Sequence, residues 1–120
     1  MRSKYFSEKE LACPHCADGD MDRSFLSMLD MLRERVGRPL TLNSAKRCID
    51  HNKAVGGEEN SAHPIGRAAD IRAVTGKERF QLVNAALIVG FRRVGIGKSF
   101  IHVDNATAAT NHPRDVLWVY

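Results

Sequence analysis

The sequence predicts an α+β fold, a small antiparallel sheet with helices packed on it, and three observations predict it. Two capping boxes, Ser7 with Glu10 and Thr75 with Glu78, mark helix starts. An apolar repeat of helical period runs from Phe25 to Val36. Apolar and polar residues alternate in Ala68–Ala73 and again in Phe100–Asp104, the period of a strand.

Taken in chain order, Phe6 and Leu11 flank the first capping box as a hydrophobic staple, so a short helix starts at Ser7. A second helix runs from about Asp22 to Val36. Phe25, Met28, Leu29, Leu32 and Val36 share one face of it, a core stripe, and Gly37 then Pro39 end it. Leu40-Thr41-Leu42 reads as a strand leading to Arg47, and residues 51–61, rich in Asn and Gly, read as a long loop of the kind that lines an active site. In the next strand Ala69, Ile71 and Ala73 fall on one face while Ala68, Asp70 and Arg72 fall on the other. Thr75 opens a helix through Ile88 that Gly90 closes, and strands near Phe91–Ile96, Phe100–Asp104 and Val116–Tyr120 complete the sheet. His112-Pro113-Arg114-Asp115 reads as a turn, and Trp118 and Tyr120 as core or sheet-edge packing rather than substrate contacts.

A chain of 120 residues, 43% hydrophobic, reads as one domain over residues 1–120 with a single core. The net charge of +4 invites a nucleic-acid reading, but Lys and Arg are scattered, aromatics are 7%, and no helix carries a basic stripe. Nucleic acid is therefore not expected as a partner, whereas an anionic envelope or cell wall suits a basic surface equally well. The first ten residues lack the apolar run of a signal peptide and no window is long enough to span a bilayer, so neither signal-peptide export nor membrane insertion is expected. A monomer is expected.

Cys13-Pro14-His15-Cys16 and Cys48-Ile49-Asp50-His51 supply a Cys-x-x-Cys and a Cys-x-x-His. This spacing suits a structural zinc site. It suits equally a disulfide from Cys48 to Cys13 or Cys16 with one thiol left over, or three buried reduced thiols.

The segment richest in chemistry is Ser61-Ala62-His63-Pro64-Ile65-Gly66-Arg67-Ala68-Ala69-Asp70, echoed by Ile101-His102-Val103-Asp104. Pro64 and Gly66 break any helix between His63 and Asp70, so a loop delivers His63 and a strand delivers Asp70. Alternation places His102 and Asp104 on one strand face, and two adjacent strands bring Asp70 beside His102. Two His and one carboxylate are a common ligand set for catalytic zinc.

Ser-x-His-x-x-Gly-x-Ala-x-Asp followed by His-Val-Asp resembles the M15 metallopeptidases, the zinc D-Ala-D-Ala carboxypeptidases and endolysins, which share a fold with the Hedgehog signalling domain. Upstream, Leu42–Asn52 resembles the family's Ser-Gly-Tyr-Arg segment, Val55-Gly56-Gly57 fits as well, and the order of elements agrees from Tyr5 to Tyr120. The resemblance implies that His63, Asp70 and His102 bind Zn2+, that Arg47 holds a substrate carboxylate or polarises the scissile carbonyl, and that Ser61 contacts substrate. It implies cleavage of a peptide bond in the peptidoglycan stem, either release of terminal D-Ala or a cut between L-Ala and D-Glu. The protein would be made in the cytoplasm and act at the bacterial cell wall, as a phage or prophage endolysin does.

One position departs from the pattern. Several branches of the family place an acid three residues before the last His, where this chain has Ser99. Asp104 is the nearest acidic substitute and the favoured catalytic base, accepting a proton from water; the other reading is a carboxylate orienting a ligand His. The rival reading is a non-catalytic zinc-binding module for cell-wall recognition or virion association, which would keep the ligands and lose the base.

Overall fold

The computed structural model describes residues 3–57, 61–107 and 112–120. Helices α1 (Glu8–Leu11) and α2 (Arg23–Val36) precede strand β1 (Leu42–Ser44); helix α3 (Ile49–Ala54) and strand β2 (Ala68–Arg72) follow. Helix α4 (Gly76–Val89) and strands β3 (Arg93–Ile96), β4 (Phe100–Asp104) and β5 (Val116–Val119) complete the order. No helix is long and apolar enough to cross a membrane among the described residues.

Local chemistry sets the helix ends. Both expected capping boxes are formed, with Ser7 and Thr75 as N-caps of α1 and α4. Asp22 caps α2 by accepting the Phe25 N–H at 2.9 Å, and Gly37 and Gly90 close α2 and α4. The residues following Arg47 depart from the expected loop: α3 covers Ile49–Ala54, with Cys48 as N-cap and its sulfur accepting the His51 N–H. This helix lacks an apolar stripe because it is inverted, exposing Ile49 and burying Asn52. Hydrophobic periodicity could not reveal it.

The sheet order is β1-β2-β4-β3-β5. Pairing is antiparallel across the first four strands, as expected, but β5 runs parallel to β3, so the sheet is mixed. A turn at residues 97–99 fixes the β3–β4 register, whereas β5 returns after a longer connection and is free to add in either direction.

Period-2 alternation divides β2 and β4 between two environments. Ile71, Ile101 and Val103 pack with Val94 against Phe25, Leu29 and Leu32 of α2 and Leu82 and Ala86 of α4. Phe25 and Phe91 meet edge to face in this core, with ring centroids 6.0 Å apart. The opposite positions, Asp70, His102 and Asp104, form a polar floor on the other face. There His102 and Asp104 are as buried as the core.

Candidate metal centre

The β2–β4 ladder pairs Asp70 directly with His102, and β3 pairs Gly95 with His102 and Arg93 with Asp104. Two candidate ligands are thus fixed by backbone hydrogen bonds. The third, His63, comes from the turn before β2, whose geometry depends on Gly66. Gly66 has φ +71°, and a Cβ there would lie 2.7 Å from the Asp20 carbonyl oxygen. The Gly66 carbonyl in turn accepts the Asp22 N–H, tying this turn to the start of α2. Ser61 lies at the head of the same segment, and its hydroxyl accepts the His63 N–H at 3.1 Å.

The three side chains converge. One ligand atom from each of His63, Asp70 and His102 lies within 4.8 Å of the others. His63 Nε2 is 3.4 Å and His102 Nδ1 2.8 Å from Asp70 Oδ1. Ligands about 2.0–2.2 Å from a tetrahedral zinc ion stand roughly 3.3–3.6 Å apart, so small adjustments would seat the metal. The outer faces are also engaged. His63 Nδ1 lies 2.6 Å from the Ala45 carbonyl oxygen, the placement of an N–H donor, which leaves Nε2 with its lone pair toward Asp70. His102 Nε2 lies 2.7 Å from Asp104 Oδ2, which likewise turns Nδ1 toward Asp70. Two imidazole nitrogens and a carboxylate oxygen, each backed by a further hydrogen-bond partner, form a donor set that fits Zn2+.

Electrostatics follow from this packing. Burial alone would raise the Asp70 carboxyl, but hydrogen bonds and charge from His102 and His63 outweigh it and hold the group far below the usual carboxylate range. Burial opposes charge on His102 as well, yet Asp104 and Asp70 on either side raise it above the ordinary imidazole value. Asp104 is lowered, with burial again overcome, by His102 and then by Arg93. Its oxygens are committed: Oδ2 faces His102, while Oδ1 accepts from Arg93 Nε at 2.7 Å and from the Ala106 N–H at 3.1 Å.

Arg47 reaches the centre from the segment between β1 and α3. It donates from Nη2 to Asp70 Oδ2 at 3.0 Å, from Nε to Ser44 Oγ at 2.9 Å and from Nη1 to Asn52 Oδ1 at 2.9 Å. A guanidinium carries five N–H donors, so these three bonds orient it without exhausting it. Above the floor opens a cavity of about 750 Å3, lined by Arg47, Ser61, Arg93, Trp118 and Tyr120 together with the candidate ligands.

Trp118 and Tyr120 therefore do more than pack a sheet edge. The Trp118 ring lies 5.3 Å from that of His102, and the Arg93 guanidinium sits 5.1 Å over the indole. Three other contributors, Ser44, Asn52 and Arg93, escape a search for metal-ligand motifs. Arg93 had a usable signal, since pairing Gly95 with His102 across the short turn places it opposite Asp104.

Two His and one Asp at the base of an open cleft on a mixed sheet are a donor set of the kind that metal-dependent enzymes use. The chain belongs to the M15 peptidase family, whose model matches residues 4–104, and this family makes it a metallopeptidase. Curated proteins give no significant match.

Proposed function

We propose that this protein is a zinc-dependent peptidase, a single catalytic domain over residues 1–120, which cleaves a peptide bond in the peptidoglycan stem. The observation that carries the reading is the convergence of His63, Asp70 and His102 within 4.8 Å, beside Arg47, at the floor of the cleft. In this reading His63 Nε2, an Asp70 oxygen and His102 Nδ1 would hold the metal. A zinc ion so bound supplies Lewis-acid polarisation of a carbonyl and lowers the pKa of water toward about 7.

The chain's own groups do the rest. Arg47, fixed by Ser44 and Asn52, offers its remaining N–H donors to a substrate carboxylate or to the carbonyl oxygen as negative charge develops there. Asp104 holds His102 in the tautomer that presents Nδ1 to the centre; its commitment to Arg93 and Ala106 favours this orienting role over that of base. Trp118 and Tyr120 wall one side of the cleft, and Ser61 lies on its rim as a substrate contact.

The stem-peptide substrate rests on the resemblance of the His63–Asp70 and His102–Asp104 motifs to D-Ala-D-Ala carboxypeptidases and endolysins. The net charge of +4 suits an anionic wall. Action at the cell wall, as a monomer and in the manner of an endolysin, belongs to the same proposal. The alternative is a non-catalytic zinc-binding module for wall recognition or virion association, and Ser99 in the acid's usual place favours it. Incubating the zinc-loaded protein with purified peptidoglycan decides between them, with new amino termini and released D-Ala followed by mass spectrometry. Product formation that disappears in His63→Ala together with the zinc held at this centre supports the enzyme; zinc held at this centre with no product sinks it.

A further inference from the structure

A second cluster forms at the start of α3. Cys13, Cys16 and Cys48 place their sulfurs within 4.8 Å of one another, although Cys48 is more than thirty residues from the other two in sequence. All three are free thiols. Cys13 is buried, Cys48 half-buried and Cys16 exposed, so the uniformly buried trio that the sequence allowed is not what forms.

The backbone around the sulfurs is arranged for acceptance. The Cys48 N–H donates to the Cys13 sulfur at 3.4 Å. The His51 N–H in turn donates to the Cys48 sulfur at 3.4 Å. Amide donors of this kind support a sulfur that ligates metal. The turn is shaped for this purpose: Ala17 bonds back to the Cys13 carbonyl and adopts φ +63°, an uncommon conformation for alanine, and Cys13 N–H closes the turn on the Asp18 carbonyl at 2.7 Å. Two imidazoles flank the cluster. His15 Nδ1 lies 3.2 Å from Cys48 Sγ, and the His15 and His51 rings stack with centroids 6.2 Å apart.

We propose that Cys13, Cys16 and Cys48 form a structural zinc site, closed by one imidazole of the His15–His51 pair and separate from the His63–Asp70–His102 centre. Three thiolates and one imidazole are a standard tetrahedral zinc set, and the Cys-x-x-Cys turn has the spacing such sites use. Binding releases the thiol protons to solvent and oxidises nothing. The site fastens the segment after α1 to the start of α3, where Cys48 directly follows Arg47 and the Lys46 N–H already bonds the Leu11 carbonyl at 3.1 Å. It thereby anchors the stem from which Arg47 reaches the cleft.

The test is metal content of the full-length chain purified under thiol reductant, measured by elemental mass spectrometry. Two zinc ions per chain are expected in the wild type, one in His63→Ala and none in His63→Ala combined with Cys16→Ser, a change at an exposed position. Cobalt added to metal-free His63→Ala needs no cysteine variant; it should give the intense near-ultraviolet band of sulfur-to-cobalt charge transfer. In a His15→Ala/His51→Ala background that spectrum should change. Metal-free His63→Ala without a cobalt–thiolate band overturns the site, as does finding two of the cysteines joined as a disulfide under these conditions. A cobalt spectrum unaltered by loss of both imidazoles overturns the assignment of the fourth ligand.

Discussion

Asp104 Oδ2 stands 2.7 Å from His102 Nε2, on the side of the ring away from Asp70. A carboxylate in this position sets the tautomer and orientation of a ligand imidazole and raises its basicity. With Oδ1 held by Arg93 and Ala106, the group has little freedom to carry a proton between water and product. Asp104→Asn should therefore weaken zinc binding about 10–100-fold, while activity at saturating zinc largely returns. Full zinc occupancy with turnover reduced about 100-fold or more would instead identify Asp104 as the base.

Arg47 is held on three sides, by Ser44, Asn52 and Asp70. Lysine keeps the charge but cannot reproduce the planar fork that makes these bonds. Arg47→Lys should lower kcat/KM about 10–100-fold, equivalent to roughly 1.4–2.7 kcal/mol, with zinc content unchanged. A fall in KM-dependent binding alone marks a substrate anchor; an equal fall in kcat marks transition-state stabilisation at the carbonyl. Unchanged kinetics would remove Arg47 from the site.

Gly95 lies between His102 and Trp118 in the sheet, and a Cβ there would come within 2.6 Å of the indole. Gly95→Ala must push Trp118 aside, and overpacking of this kind typically costs about 1–3 kcal/mol. Because Trp118 is the single tryptophan, its emission reports the displacement directly. The variant should show altered emission and a weaker fluorescence response to zinc. Emission identical to wild type would mean that the ring does not rest over Gly95.

What the sequence disclosed and what it hid divide along physical lines. Capping boxes are local, involving residues three apart, and Ser7 and Thr75 act as their sequence neighbours require. Alternation identified the polar face carrying Asp70, His102 and Asp104, because a strand's two faces are set by period alone. The direction of β5 was not legible, since a longer connection permits either pairing. Asn52 was concealed in a helix that buries its polar side, and its value appears only once Arg47 is seen to bond it. Trp118 looked like edge packing because nothing local to it indicates that Gly95 opens a path to His102.

The stability of α2 should depend on pH through Asp22. This carboxylate caps the helix, accepts from the Ser24 hydroxyl and pairs with Arg67 Nη2 at 3.3 Å. Burial works against its charge, but the bonds from Ser24 and Phe25, with Arg67, hold its pKa below the ordinary aspartate value. A depressed folded pKa means that the unfolded chain takes up the proton first, so the contribution is fully present above about pH 4–5. It is lost as pH falls through the folded value. Asp22→Ala should remove about 1 kcal/mol at neutral pH, lowering Tm by roughly 3–6 °C, and the deficit should shrink as both proteins are acidified. Asp22→Asn keeps a capping oxygen without titrating, so it should lose less at neutral pH and show a flatter acid limb. A deficit in Asp22→Ala that stays constant from pH 7 to pH 2 would show that capping by the charged group contributes nothing.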